Sequence, residues 1–405
     1  MVAAPVGRVT RSERSEETTR LILAEGLGLL AEEGLDRSSA ISLAKRCGLS
    51  TGPVYARYDT PEDVAVDLWQ RTLDPALSEL LHGLRAAVAG SAAATADLAA
   101  EMLRPAPTTA AICELVAVAR RYPQLAEQIR EDLGSRLRAH LAAQPAVPPA
   151  MVLGQVSFLL GSLTLAPIVA EENRADGSGS LGLIAEICAD VPARSAPRVD
   201  PAPRVMPLPE SATGDPLRDE LAEAVTAVVA RVGFEHATAT RIARQAGRGF
   251  STYYKRFSSK DELLVSIVAS LVEQIVRISA RGFAGLSRED FIAGSVANAR
   301  GLCAEENREN RHLRVEVMVA ARHHPEIAEV VDRVYATARG EIEQEFRRTT
   351  AAADRERAMD YWALVRANNI GMSVLASATS MLQGVDWTPA SVGLFGVFSS
   401  LRREE

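Results

Sequence analysis

Apolar residues recur at helical spacing through almost the whole chain. Ile22, Leu23, Leu27 and Leu30 mark one face of a helix expected from about Glu17 to Glu33. Leu221, Val225, Val228 and Val232 repeat that stripe behind Asp215 and Pro216, a good N-cap followed by the residue best tolerated at the first helical position. Short apolar ridges follow each stripe, Leu43-Ala44 in one case and Ile242-Ala243 in the other. Gly48 and Gly247 stop them, since glycine takes the left-handed conformation that closes a helix. Ser50 is expected to cap the next helix through its hydroxyl, Pro53 falls in a first turn where no donor is lost, and Gly249 or Ser251 restarts the second copy. The stretches Ser38–Tyr58 and Ala237–Phe257 superpose at one constant offset without a gap, placing Gly34 on Gly233, Ala44 on Ala243, Gly48 on Gly247, Tyr55 on Tyr254 and Arg57 on Arg256.

The repetition continues downstream. Glu114–Arg130 answers Glu316–Asp332, with Pro123 on Pro325 at a helix break. Helices over about Pro149–Ala170 and Arg355–Leu382 are the most apolar of each half. Met151–Ala170 carries no charge and is long enough to span a bilayer. Its Gly154, Gln155, Ser157, Gly161, Ser162, Thr164 and Pro167, together with the matching uncharged run Ile370–Val385, fit a helix paired with its counterpart across a pseudo-twofold better than a membrane span. Between the halves, Val191–Gly214 contains six prolines and reads as a semi-extended linker without a core of its own. The expected order is a flexible arm over 1–15, a first head over 16–70, a first helical domain over 71–190, the linker over 191–214, a second head over 215–270 and a second helical domain over 271–405.

Composition agrees with an all-α chain. The 405 residues are 47% hydrophobic, 24% charged and only 5% aromatic, which favours helices over sheets and allows two to four domains with proper cores. Cys47, Cys113, Cys188 and Cys303 show no paired spacing and read as reduced thiols; no charged-then-apolar leader opens the chain, and a cytoplasmic location is expected. The formal net charge is −7, yet Arg37–Tyr58 holds Arg37, Lys45, Arg46 and Arg57 with no acid. His236–Lys260 likewise holds Arg241, Arg244, Arg248, Lys255, Arg256 and Lys260 with none. Basic patches on an acidic chain suit phosphate attraction.

Helix, short turn and helix in a basic stretch is the arrangement that sets a second helix into a DNA major groove. The segments "AEEGLDRSSAISLAKRCGLSTGPVYARYDTPEDV" and "ARVGFEHATATRIARQAGRGFSTYYKRFSSKDELL" resemble the DNA-binding domain of tetracycline-repressor-like (TetR-family) transcriptional regulators over about 50 residues each. Gly34/Gly233 match the family's glycine after helix 1, Tyr55/Tyr254 its recognition-helix tyrosine, and Tyr58/Phe257 the aromatic that closes that helix on the core. The family position that sets a cation near the DNA backbone holds Lys260 in the second copy and Pro61 in the first. Family members are usually as long as one repeat and dimerise; this chain departs from them as a tandem pair.

The expected architecture is therefore all-α, two TetR-like units paired within one chain as a pseudo-dimer, with a homodimer of the chain as a variant. The resemblance implies double-stranded DNA as partner, with Tyr55, Arg57, Tyr254, Lys255, Arg256 and Lys260 on phosphates. Ser50 joins the DNA-binding set, and Thr51, Gly52 and Pro53 stand where Phe250, Ser251 and Thr252 stand in the second copy, with Thr51, Phe250, Ser251 and Thr252 the candidates for base contact. Because these differ, an operator with two unlike halves is expected. The resemblance also implies a small-molecule effector among the C-terminal helices. Tyr361, Trp362, Arg366, Asn368 and Asn369 put polar tips on an apolar helix, either lining such a pocket or serving the interface between halves, the interface being preferred. No cofactor, metal site or catalytic residue is expected: the six histidines make no H-x-x-x-H pair and no nucleophile elbow occurs. His323-His324 reads as a surface helix end. The alternative is a TetR-like ligand- or protein-binding module in which one or both heads no longer bind DNA.

Overall fold

The structure, a computed structural model, describes residues 11–174, 177–208, 215–247, 249, 262, 265, 267 and 286–402. The described residues are helical throughout, without a strand. In the first half α1 (Arg11–Glu33), α2 (Ala40–Arg46), α3 (Thr51–Tyr55) and α4 (Pro61–Leu68) form a head. A π-helical turn, Trp69–Leu73, joins α4 directly to α5 (Asp74–Val88). There follow α6 (Ala92–Leu103), α7 (Pro107–Val118), α8 (Pro123–Ala142), α9 (Pro149–Leu165) and α10 (Gly177–Ala189), then a short α11 (Val191–Arg194). The order returns with α12 (Pro216–Val232) and α13 (Ala239–Gln245), and again with α14 (Arg288–Cys303), α15 (Arg308–His323), α16 (Pro325–Thr349), α17 (Arg355–Ala378) and α18 (Thr388–Ser400).

Local chemistry sets these boundaries. Ser39 and Ser42 make a capping box on α2, Thr60 and Asp63 another on α4, and Asp215 caps α12 by accepting from the Leu217 and Arg218 amides. Prolines open α4, α7, α8, α9, α12 and α16 at positions that lack an intrahelical donor requirement. Several expected bounds shift. Helix α1 begins at Arg11, six residues before Glu17, because Arg11–Glu16 contains no breaker; the part of the expected arm before Arg11 lies outside the described residues. The apolar helices end at Leu165 and Ala378, earlier than their uncharged runs.

Helices α9 and α17 cross at the centre of the molecule. Thirteen of the seventeen α9 residues are buried, so this helix is apolar on all sides because it is enclosed by protein on all sides. Among the described residues no helix is long and apolar enough to cross a membrane. The crossing is reciprocal. A Cβ on Gly161 would overlap the Ala367 carbonyl, and a Cβ on Gly371 would overlap the Ser157 carbonyl; Gly161 stands four residues after Ser157 and Gly371 four after Ala367. Each helix thus presents a glycine, and the carbonyl four residues before it, to the other.

One continuous core runs from Leu30 and Trp69 of the first half to Phe291 and Phe398 of the second. A second core gathers Val225, Val229 and Ile242 of the second head with Leu313 and Val317 of α15, and includes Leu165 and Val169 from the first half. The first head keeps a small core of its own around Ile22, Leu43, Val54 and Tyr58.

The segment between the halves differs from the expected free spacer. Val199 and Thr388 exchange hydrogen bonds of 2.9 and 3.3 Å, and the Arg204 amide donates to the Ala297 carbonyl at 2.8 Å. Buried Asn307 donates to the Arg204 carbonyl and accepts from the Met206 amide, while Asn310 donates to the Pro207 carbonyl. Polyproline-like chain has no internal hydrogen bonds, so its backbone groups are free to dock on a neighbour. Residues 209–214 of the expected linker lie outside the described residues.

Two glycine substitutions test the crossing. Gly371→Val is expected to destabilise the chain by about 3 kcal/mol or more in urea titrations, since backbone must separate from backbone. Gly182→Ala in α10, where an added Cβ meets nothing within 4 Å, is expected to stabilise by about 0.5–1 kcal/mol. A Gly371→Val chain as stable as the parent contradicts this packing.

Candidate functional site

The first head carries a helix–turn–helix whose tip faces solvent. Gly48, at φ +65°, closes α2, and Gly247, at φ +64°, closes α13 in the same way. Among the described residues neither has an atom within 4 Å of a notional Cβ, and the positive φ by itself favours glycine there. Ser50, Thr51, Gly52 and Tyr55 are exposed, Tyr55 by 53%, and Pro53 is half-buried in the first turn of α3. Ser50 occupies the N-cap with extended backbone, but its hydroxyl makes no capping hydrogen bond, contrary to the sequence expectation. Val54 and Tyr58 anchor the helix inward, and the Tyr58 hydroxyl donates to Asp67 at 2.6 Å. Phe250, Ser251, Thr252, Tyr254, Lys255, Arg256, Phe257 and Lys260 lie outside the described residues.

The basic patch is less free in space than in sequence. Arg46 bonds Glu25 at 3.1 Å and Glu32 at 2.7 Å, both from α1. Arg57 turns back on its own head, donating to the Pro53 carbonyl, Thr19 Oγ1 and Ser15, and Arg37 donates to the His323 carbonyl. Among the described residues the Lys45 side chain has no hydrogen bond or ion pair, and neither has that of Arg244, which occupies the equivalent position of the second head. Both are exposed. The repeat offset marks this pair in the sequence, yet composition alone did not separate them from their engaged neighbours.

Beneath the heads lies a layer of charge shared between the halves. Gly34 (φ +79°) follows α1 and packs against Glu114 of its own half and His323 of the other; Gly233 (φ +84°) caps α12 and packs against Glu316 of its own half and Arg121 of the other. His323 donates toward Glu114 at 3.1 Å, while Arg120 and Arg121 bond Glu316 at 2.5 and 3.0 Å. Arg121 also bonds Asp36, which lies 3.4 Å from His236 of the second head. Arg322 donates to the Ala31 carbonyl and Arg120 to the Arg231 carbonyl, so each half holds the last turn of the other's first helix. His323-His324 is therefore no free surface end: His323 is buried against Glu114, and His324 bonds Glu235 at 2.6 Å. Burial pushes the Glu114 carboxyl up, but the His323 hydrogen bond and the nearby cations outweigh it and hold the group below its ordinary value. At Glu316 burial outweighs the Arg121 and Arg120 charges, and its carboxyl lies above its ordinary value.

The first head is also braced to its scaffold. Glu62 of α4 accepts from the Gln124 and Leu125 amides at the start of α8, and the buried Trp69 in the π-helical turn donates to Asp132 of α8 at 3.0 Å.

A cavity of about 640 Å3 opens where α14, α15, α16, α17 and α18 of the second half face α9 and α10 of the first. Tyr361, Trp362, Arg366 and Asn369 all line it, so the pocket holds residues for which the sequence preferred an interface. Arg366 does both, since it also reaches the Asn173 carbonyl of the first half at 3.4 Å, and Asn368 sits against Gly154 of α9. Sequence reasoning missed Arg314, Tyr335, Asn298 and Phe291, and missed that Arg204–Leu208 walls the cavity.

The charge layer makes a pH prediction. A carboxylate held below its ordinary value of 4.5 adds stability that is complete above that value and is lost as pH falls through the lowered one. Glu114→Ala is expected to cost about 3 kcal/mol at neutral pH, because it leaves His323 and Arg322 buried without their partner. The difference from the parent should shrink in acid; a difference that stays constant from neutral pH to below 4.5 would contradict the assignment.

No family model matches the chain. It is similar to uncharacterised HTH-type transcriptional regulators of Mycobacterium bovis and Mycobacterium tuberculosis, each 28% identical over 167 residues, covering 37% of this chain and 77% of the relative. Among solved structures it is similar to a transcriptional regulator from Rhodococcus sp. Rha1, at 21% identity and a TM-score of 0.38, over 46% of this chain and 99% of that one.

Proposed function

We propose that the chain is a sequence-specific DNA-binding transcriptional regulator, a tandem pair of TetR-like units that acts as an intramolecular pseudo-dimer, and a repressor released by a small-molecule effector. The observation that carries this is the exposed tip of the first helix–turn–helix: Thr51, Gly52 and Tyr55 face solvent while Glu62 and Trp69 brace the head to its scaffold. Further support comes from the unpaired Lys45 and Arg244 at matching positions, from relatives named as HTH-type transcriptional regulators, and from Asp36 and His236 bringing the roots of both heads together. Such a molecule needs no catalytic group and acts by position alone.

Helix α15 gives the effector a route to the heads. Arg314 lines the cavity, Glu316 and His323 belong to the charge layer, and all three sit on one rigid rod. From Arg314 to His323 the rod spans about 13 Å at about 1.5 Å per residue. An effector that moves α15 therefore moves the layer that sets head against head.

A second reading, a module whose first head no longer reads DNA, draws on the engagement of Arg46 and Arg57 with their own head. The two readings part in a gel-shift titration across ionic strength. On the regulator reading, Lys45→Ala and Arg244→Ala each lower the slope of log affinity against log salt by about one. Arg57→Ala instead loosens the first head and leaves that slope nearly unchanged, and Arg256→Ala and Lys260→Ala weaken binding more than Arg57→Ala. Salt-independent binding, or none, favours the module. Because Thr51-Gly52-Pro53 stands opposite Phe250-Ser251-Thr252, binding-site selection should return two unlike half-sites about one duplex turn apart; a perfect palindrome sinks that part of the proposal.

A further inference from the structure

The cavity between the halves holds two guanidinium groups that have no ion pair among the described residues. Arg314, on α15, makes no hydrogen bond or ion pair among the described residues, and its Nε is buried and unpartnered. Arg366, on α17, is sandwiched between the rings of Tyr335 and Trp362, each 4.5 Å from the guanidinium carbon. Its Nε and Nη1 are buried and unpartnered, and its single hydrogen bond, of 3.4 Å, goes to a neutral carbonyl. The Tyr361 hydroxyl, buried in the same wall, also lacks a partner. The acid that lines the cavity, Glu345, is paired with Arg348 at 2.6 Å. Burial pushes Arg366 down to about 10 and lowers Arg314 as well. A buried cation without an anion is costly, and a fold keeps it only when something else offsets the cost.

The first half provides an internal control. Gly161 matches Gly371 and Glu114 matches Glu316, and on those offsets Arg366 falls on Val156, Trp362 on Val152, Asn369 on Leu159, Arg314 on Ile112 and Tyr335 on Leu133. All five counterparts are buried apolar core. Packing a helical domain of this shape therefore requires neither arginine; the second half carries them around an open space. The remainder of that space is apolar, with Phe291, Leu364, Trp387, Leu394 and Phe398 on its walls. Its volume is in the range of sites that enclose a small organic molecule.

We infer that this cavity binds an organic carboxylate with a sizeable apolar body, one per chain, with the carboxylate between Arg314 and Arg366 and the body against the aromatic and aliphatic walls. A planar guanidinium meets a carboxylate through two parallel hydrogen bonds, and the stacked rings hold Arg366 in the orientation such a pair needs. Tyr361 supplies a third donor. The segment Arg204–Leu208 closes one side, so the connection between the halves takes part in the site. This inference names the ligand class for the effector site in the proposed function and rests on that reading for its regulatory meaning, while the binding itself involves no DNA.

The test is isothermal titration of the full chain, free of DNA, with short, medium and long saturated fatty carboxylates and with the alcohol and the primary amine of matched length. Carboxylates of at least one length should bind at one per chain, with the matched alcohol and amine weaker by roughly tenfold or more. Arg366→Gln and Arg314→Met should each weaken carboxylate binding by a similar factor while leaving the alcohol nearly unaffected. Both variants should also raise the melting temperature of the ligand-free chain, a rise that a merely structural arginine would not give. Equal affinity for carboxylate, alcohol and amine, carboxylate binding that survives both substitutions, or no binding at any length overturns the inference. A gel shift on the same preparations separates the two claims: loss of DNA binding with carboxylate binding intact refutes the regulator reading alone, and the reverse refutes this one alone.

Discussion

Everything in the molecule is referred to one backbone contact, the crossing of α9 and α17 at Gly161 and Gly371. Two helices can approach to the point where the carbonyls of Ser157 and Ala367 fill the places of absent side chains only if both carry glycine at the contact. The closeness fixes how the halves are set against one another. With that fixed, α7 and α15 run alongside each other far enough for Glu114 to meet His323 and for Glu316 to meet Arg120 and Arg121. The heads rest on those ends. A loose crossing would leave the charge layer without register, because ion pairs at 2.5 to 3.1 Å do not survive a slide of even part of a helical turn.

The same scaffold is used unequally. In the first half Ile112, Leu133 and Val156 complete a solid core, and the π-helical turn at Trp69 ties the head to α8. In the second half the equivalent helices enclose open volume with charged groups in its wall. The cavity borders on α15 and α17, two of the helices that pack the second half against the first.

Much of this is legible in the sequence where the signal is local. The helix–turn–helix, the glycines at Gly34, Gly48, Gly233 and Gly247, the proline and Asp215 starts, and the burial of Tyr58 all follow from residues within a few turns of one another. What escaped depends on distance along the chain. Arg46 and Arg57 look like free cations until Glu25, Glu32, Ser15 and Thr19 return from the preceding helix. His323 looks like a surface residue until Glu114 arrives from the other half. The proline-rich connection looks like a spacer because its partners, Asn307, Asn310 and Thr388, lie some hundred or more positions away. The polar tips of α17 were visible, but choosing between an interface and a pocket needed the position of α15, and with it Arg314.

The central claim is that one chain supplies both heads for one binding site. Native mass spectrometry of the chain with a duplex obtained by binding-site selection measures this directly. The account predicts one chain per duplex at saturation, with no larger species at concentrations that fill the site. A complex that forms only with two chains on a single site, with no one-chain species at any ratio, contradicts it.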